Sequence, residues 1–154
     1  MQTVEKKSDN IKRYAKESPC LCFNFRRAAR AVTQIYDELF KSIQLTSSQV
    51  SILNALSMVG EMTVMQLADC ISTDRTTITR SLRPLSREGL LKVQPGRDKR
   101  TKIVIITDKG RGISMKSMDL WEEFQVRLVR KVGKHRTENL CREICQVIED
   151  IKKI

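Results

Sequence analysis

The chain has 154 residues, 40% of them hydrophobic, 31% charged and 5% aromatic, which suits one folded domain rather than a disordered chain and leaves few rings for stacking on bases or sugars. No run of about 18 apolar residues is present and the first residues lack a signal-peptide core, so a cytoplasmic protein without a membrane partner is expected. The formal charge of +11 is concentrated: residues 70–111 carry 11 basic and 4 acidic side chains, against 9 and 7 on each side of them, the footprint of a surface that meets a polyanion.

In chain order, residues 1–18 are polar and charged and read as a loosely ordered arm. From Ser18 and Pro19, suited to a cap and a first turn, Leu21, Phe25, Ala28, Val32, Ile35, Leu39 and Ile43 recur at helical spacing and predict a long helix to about residue 43. Thr46 can cap a helix to about Met58 with Val50, Ile52, Leu53 and Leu56 inward, broken by Gly60. Thr63 can cap a short helix, VMQLADC, with Val64, Leu67, Ala68 and Ile71 inward. The polar break Ser72-Thr73-Asp74, with Asp74 as a cap, leads into RTTITRSLRPLSRE, closed by Gly89. LLKVQ and TKIVIIT then read as two strands joined by a basic turn from Pro95 to Arg100. A helix-turn-helix followed by such a hairpin is a winged helix. Beyond Asp108, Ile113, Met118, Trp121, Phe124 and Leu128 mark one further helical stripe, and Leu140, Ile144, Val147, Ile151 and Ile154 another. Long apolar stripes at both ends of a short chain suggest helices that pack against a second copy.

The second helix of the helix-turn-helix is two-faced. Ile78, Leu82 and Leu85 share one side, while Thr76, Arg80, Arg83 and Arg87 lie opposite, a face that can enter a major groove. Arg75, Thr76, Thr77 and Arg80, near its N-terminus, are the expected base readers. Arg83 and Arg87 are expected on the DNA backbone, together with Arg97, Lys99, Arg100 and Lys102 of the wing. Asp98 can orient a neighbouring arginine by a charge-assisted hydrogen bond, or is an ordinary turn aspartate. Pro84 should kink the helix, because it cannot donate to the carbonyl of Arg80.

His135 is the single histidine, and the five cysteines are Cys20, Cys22, Cys70, Cys141 and Cys145. An odd count without an export signal argues for reduced thiols. No GxGxxG, Walker A or HExxH string is present, so an enzyme, a cofactor and a metal are not expected. Cys70 reads as core. Cys141 and Cys145, four apart on one helical face, read as packing rather than a disulfide or metal site. Trp121 and Phe124 read as core, and His135 as a surface residue.

The stretch DKRTKIVIITDKG, Asp98 to Gly110, resembles the wing signature of MarR-family transcription regulators. The ordered run of LT-x-x-Q (Leu45 to Gln49), DRTTITRSLRPLSREGLL (Asp74 to Leu91), wing and C-terminal helices is similar to that family from about residue 20 onward. The resemblance implies a mainly α fold with a small β-wing: a dimerisation helix at 19–44, a winged helix-turn-helix lobe at 45–107 and C-terminal dimerisation helices at 108–154. It also implies a homodimer that reads pseudopalindromic double-stranded DNA, commonly a repressor released by a small-molecule effector or an oxidant. The segment around Leu21-Cys22-Phe23 resembles the first helix of OhrR-type peroxide sensors. That register places Cys22 on the reactive cysteine, with Cys20 beside it, and Tyr36 on one of its tyrosine partners. Arg26, Ser47 and Val50 depart from the tyrosines usual there. The alternative function is therefore a thiol-based sensor of organic peroxide, or of metal, with DNA release as its readout. A protein-interaction module is a third reading, disfavoured by the arginine face.

Overall fold

The computed structural model describes residues 13, 14, 16–98 and 100–154. The chain forms two compact units that divide between Glu38 and Leu39. In the first, the described residues 13, 14, 16 and 17 are helical rather than loose, with an Arg13–Glu17 ion pair at 2.8 Å spanning one turn. Residues 1–12 of the expected arm lie outside the described residues. Helix α1 (Leu21–Leu39) starts later than Ser18 would cap it. Cys20 occupies the cap position instead, its carbonyl accepting from the Asn24 N–H at 3.1 Å, and the Asn24 side chain donates back to the Ser18 carbonyl at 2.8 Å. No residue of α1 is buried.

The second unit opens with a 3-10 turn (Phe40–Ile43), which ends the long-helix pattern, and a left-handed Gln44. Helices α2 (Ser47–Val59) and α3 (Val64–Cys70) both begin with a reciprocal capping box. Thr46 and Gln49 exchange bonds at 3.3 and 2.9 Å, and Thr63 and Gln66 at 3.1 and 2.9 Å. Each box satisfies two N–H groups that a helix start leaves without partners. Asp74 caps α4 (Arg75–Arg87) by accepting from the Thr77 N–H at 2.8 Å and the Thr77 hydroxyl at 2.6 Å. Pro84 sits on the exposed side of α4, and the helix continues past it to Arg87. Gly89, with φ at +70°, makes the left-handed exit that a side chain would disfavour.

Strands β2 (Leu91–Pro95) and β3 (Lys102–Ile106) form the wing hairpin. A third strand, β1 (Glu61–Thr63), pairs antiparallel with β3, giving the order β1-β3-β2. Its three residues show no alternation that would reveal it. The inward residues of α2, α3 and α4 meet Leu90, Leu91, Val104 and Ile106 in one core, with Ile71 packed partly against it.

Helix α5 (Asp108–Val132) departs from the apolar stripe expected of it. Its buried residues are Gly110, Ser114 and Ser117, whereas Met118 and Trp121 are exposed and Phe124 is half-buried. The serines are buried because Asn54 of α2 binds them: its Oδ1 accepts from Ser114 at 2.8 Å and Ser117 at 3.2 Å. Small side chains let the two helices approach, and no buried side-chain nitrogen or oxygen is left unsatisfied among the described residues. Helix α6 (Lys134–Ile151) buries none of its residues. Among the described residues, no helix is long and apolar enough to cross a membrane.

All five cysteines are free and exposed. Cys70 is therefore not core: it ends α3 beside the stripe of Val64, Leu67 and Ala68, not on it. Cys141 and Cys145 likewise pack into no core of this chain, because α6 has none to offer them.

Gly110 allows the first turn of α5 to sit against the end of α4. A Cβ there would overlap the Leu90 carbonyl and crowd Ile106, whereas Gly112, on the same turn, faces open space. Gly110→Ala is expected to cost about 1–3 kcal/mol through overpacking and to lower Tm by several degrees in thermal denaturation. Gly112→Ala, a better helix former in free space, should leave Tm unchanged or raise it. Equal effects of the two substitutions would contradict the close approach.

Candidate nucleic-acid interface

The burial of α4 decides what it offers to a ligand. Ile78, Leu82 and Leu85 are 0%, 4% and 0% exposed, so the opposite side must face outward. Thr76, Arg80, Arg83 and Arg87 are all exposed there. Between this face and the wing runs an open groove of about 1090 Å³, lined from α4 by Arg75, Thr76, Thr79, Arg80, Arg83, Ser86 and Arg87 and from the hairpin by Val93, Arg100, Thr101 and Lys102. Its floor is apolar where Val64, Met65 and Leu82 contribute. Five arginines and one lysine on the walls make it a trough for a polyanion.

The groove gathers seven of the ten expected DNA contacts and leaves two described ones aside. Thr77 does not line it: at about 100° per residue it falls on the flank of α4 away from the wing, and its hydroxyl donates to Asp74 at 2.6 Å. Arg97 is exposed at the hairpin tip, outside the groove wall. Lys99 lies outside the described residues. Conversely, Thr79 and Ser86 line the groove although neither stood out in the sequence. Both lie on the wing-facing flank of α4, a direction that helical periodicity alone does not distinguish from the other flank.

The wing tip is organised around Asp98. Its carboxylate accepts from the Arg100 backbone N–H at 3.0 Å and pairs with the guanidinium, Nη2 to Oδ2 at 3.2 Å. Its carbonyl accepts from the Thr101 N–H and hydroxyl, both at 2.8 Å. The Arg100 backbone N–H, then its side chain, hold the Asp98 carboxyl below the ordinary aspartate range. The Thr77 hydroxyl, then its backbone N–H, do the same for Asp74. Both partners of the Asp98–Arg100 pair are largely exposed, so its consequence is orientation of the guanidinium rather than stability.

Elsewhere, Cys20 and Cys22 are exposed at the start of α1, and His135 is exposed on the first turn of α6. Among the described residues, no group of three or more His, Cys, Asp or Glu side chains is placed to hold a metal ion.

Residues 43–101, which run from the start of the lobe through the wing tip, match the model of the MarR family. An HTH-type transcriptional regulator of Bacillus subtilis, YwoH, is 30% identical over 87 residues, a match spanning 56% of this chain and 64% of that relative's length. The crystal structure of the transcriptional regulator MosR of M. tuberculosis in complex with DNA is similar at 34% identity and a TM-score of 0.78, over 87% of this chain and 97% of that one. A mutant of MarR from E. coli, complexed with operator DNA, shares the fold at 20% identity and a TM-score of 0.75, covering 87% and 96% of the two chains.

The Asp98 contact has a pH signature. A depressed carboxyl pKa means that the Asp98–Arg100 contact is present at neutral pH and is lost as pH falls through the depressed value. A carboxyl-carbon NMR titration should place the Asp98 midpoint below the ordinary value of about 3.9. In Arg100→Ala the midpoint should rise only part of the way, since the backbone N–H remains. An ordinary midpoint in the unsubstituted protein would refute the wing-tip geometry.

Proposed function

The chain belongs to the MarR family, and on that premise we propose that it is a homodimeric transcriptional regulator that binds pseudopalindromic double-stranded DNA. The single observation that carries this reading is the groove between α4 and the wing, walled by Arg75, Arg80, Arg83, Arg87, Arg100 and Lys102. Arg75, Thr76, Thr77 and Arg80 read base edges in the major groove, where an arginine fork matches guanine. Arg83, Arg87, Arg97, Lys99, Arg100 and Lys102 meet backbone phosphates or the neighbouring minor groove, and Asp98 aims Arg100. Its function is regulatory rather than catalytic, in line with the transcriptional regulators it is similar to.

The dimer is supported by the two helices that bury nothing in this chain. Leu21, Val32 and Ile35 on α1 are 49%, 53% and 50% exposed, and Leu140, Ile151 and Ile154 at the other end 56%, 51% and 106%. Residues 19–44 and 108–154 are the dimerisation segments in this reading, with 45–107 as the DNA-binding lobe. As is usual in the family, the regulator is a repressor in the cytoplasm, released by a small effector.

A second reading makes Cys22 the sensor of an organic hydroperoxide, with Cys20 and Tyr36 as its neighbours in the chemistry. The exposure of both free thiols favours it.

A duplex selected by the protein from a randomised pool tests the first reading. Arg80→Ala should weaken binding to it by about 1–3 kcal/mol and relax the preference at one base pair. Arg100→Ala should weaken all duplexes alike and lower the salt slope by about 1. The complex should hold two chains of 17.8 kDa per duplex. Unchanged binding in both variants would remove α4 and the wing from the interface. For the second reading, the protein is treated with organic hydroperoxide and then with thiol. Reversible loss of binding that Cys22→Ser abolishes is expected; binding indifferent to oxidant would leave a ligand-responsive regulator.

A further inference from the structure

The first turn of α5 fills carbonyls at the end of the helix that faces the groove. Lys109 Nζ donates to the Glu88 carbonyl at 2.6 Å. The Thr107 hydroxyl donates to the Gly89 carbonyl at 2.7 Å, and the Thr107 N–H to that of Leu90 at 3.1 Å. Three consecutive acceptors at the exit of α4 are thus occupied from Thr107, which caps α5, and Lys109 in its first turn. The last carbonyls of a helix lack partners inside it and carry partial negative charge. An ammonium placed on one of them both satisfies it and complements the helix dipole. Lys109 itself does not line the groove, so its charge is spent on the back end of α4.

We propose that Lys109 is a positioning residue for DNA recognition, which sets the last turn of α4, and with it Arg83 and Arg87, against the wing. This rests on the reading of α4 as the DNA-reading helix. The N-terminal end of α4 is held by Asp74 and its middle by the buried stripe. Its C-terminal end is held by buried Leu85, by the backbone bonds of the left-handed exit at Gly89 and by the two Thr107 bonds, and Lys109 adds the one contact made to the Glu88 carbonyl from a cationic side chain. Without the ammonium the Glu88 carbonyl loses this partner, the last turn loosens, and Arg83 and Arg87 are held less firmly at their distance from Arg100 and Lys102 across the groove. Arg83 and Arg87, on the DNA backbone, fix the register in which Arg75, Thr76 and Arg80 meet base edges; from a loosened turn they still find phosphates on any duplex but no longer hold that register. Specific binding therefore suffers more than non-specific binding.

The test compares full-length wild type, Lys109→Met, Lys109→Arg and Arg80→Ala on two duplexes of equal length, one selected by the wild type from a randomised pool and one unrelated. Affinity is measured across a salt series, and melting curves establish that each variant is folded at the assay temperature. Lys109→Met should bind the selected duplex several-fold more weakly, because a less firmly held α4 must be ordered on binding, with binding to the unrelated duplex and the salt slope unchanged. Lys109→Arg, which keeps charge and donors, should restore the preference. Should Lys109→Met be unfolded at that temperature, Lys109→Ala, a good helix former without a donor, decides in its place by the same loss of preference. Wild-type affinity in the neutral variant overturns the proposal. So does weaker binding to both duplexes with a salt slope lower by about 1, the mark of a direct phosphate contact. If instead the wild type selects no duplex, or Arg80→Ala binds like wild type, the reading of α4 fails first and takes the positioning role with it.

Discussion

The cationic side of the lobe depends on the burial of a single aliphatic stripe, Ile78, Leu82 and Leu85. Each such side chain is worth about 1.5–3 kcal/mol when taken fully out of water. The stripe fixes the rotation of α4 about its own axis, so that Arg80, Arg83 and Arg87 have only one direction in which to point. A rotation that brought the arginines inward would expose the stripe and bury unpaired cations, and both changes are costly. The two-faced pattern is therefore an orientation device as well as a stabilising one. The caps act on the ends of the same helix, Asp74 at its start and the first turn of α5 at its exit.

This arrangement tolerates a local electrostatic cost. Arg80, Arg83 and Arg87 repeat on one exposed face at spacings where like charges repel by a few tenths of a kcal/mol per pair. The nearby carboxylates do little to relieve it. Asp74 is engaged by Thr77 and Asp98 by Arg100, while Asp108 sits in the first turn of α5, where an anion is favoured. A cationic face left uncompensated within the fold is relieved when a polyanion supplies the counter-charge, and the released counterions make that association salt-dependent.

Much of the lobe was legible in its sequence because local rules decide it. Thr46, Thr63 and Asp74 cap helices through contacts three residues away, and the inward positions of α2, α3 and α4 follow the helical period. What escaped depends on partners distant in the chain. Strand β1 is defined by pairing with β3, and its three residues carry no pattern of their own. Ser114 and Ser117 are buried because Asn54 lies opposite, a relation across 60 and 63 residues. The stripe of Met118 and Trp121 suggested the reverse. Cys70 misled because its residue type alone suggests burial, whereas at about 100° per residue it falls beside the stripe of Val64, Leu67 and Ala68, not on it. In the candidate interface, periodicity separates the arginine face from the core face. It does not distinguish the flank towards the wing, with Thr79 and Ser86, from the flank bearing Thr77, because the position of the wing is a property of the assembled lobe.

The helices at the two ends of the chain pose a different problem. Isolated helices of this length are marginal in water without a packed face, yet α1 and α6 each carry an apolar stripe and bury no residue within the chain. Their exposed aliphatic side chains are spread along several turns rather than scattered singly, which marks an interaction surface. In the homodimer proposed here each such patch is covered by the second copy. The dimer would also set the separation of the two grooves, and a fixed separation is what allows two lobes to read the halves of one pseudopalindrome. Helix α5 begins beside the exit of α4 and runs on for 25 residues to the turn before α6. A continuous helix thus links the proposed C-terminal dimerisation segment to the exit of α4.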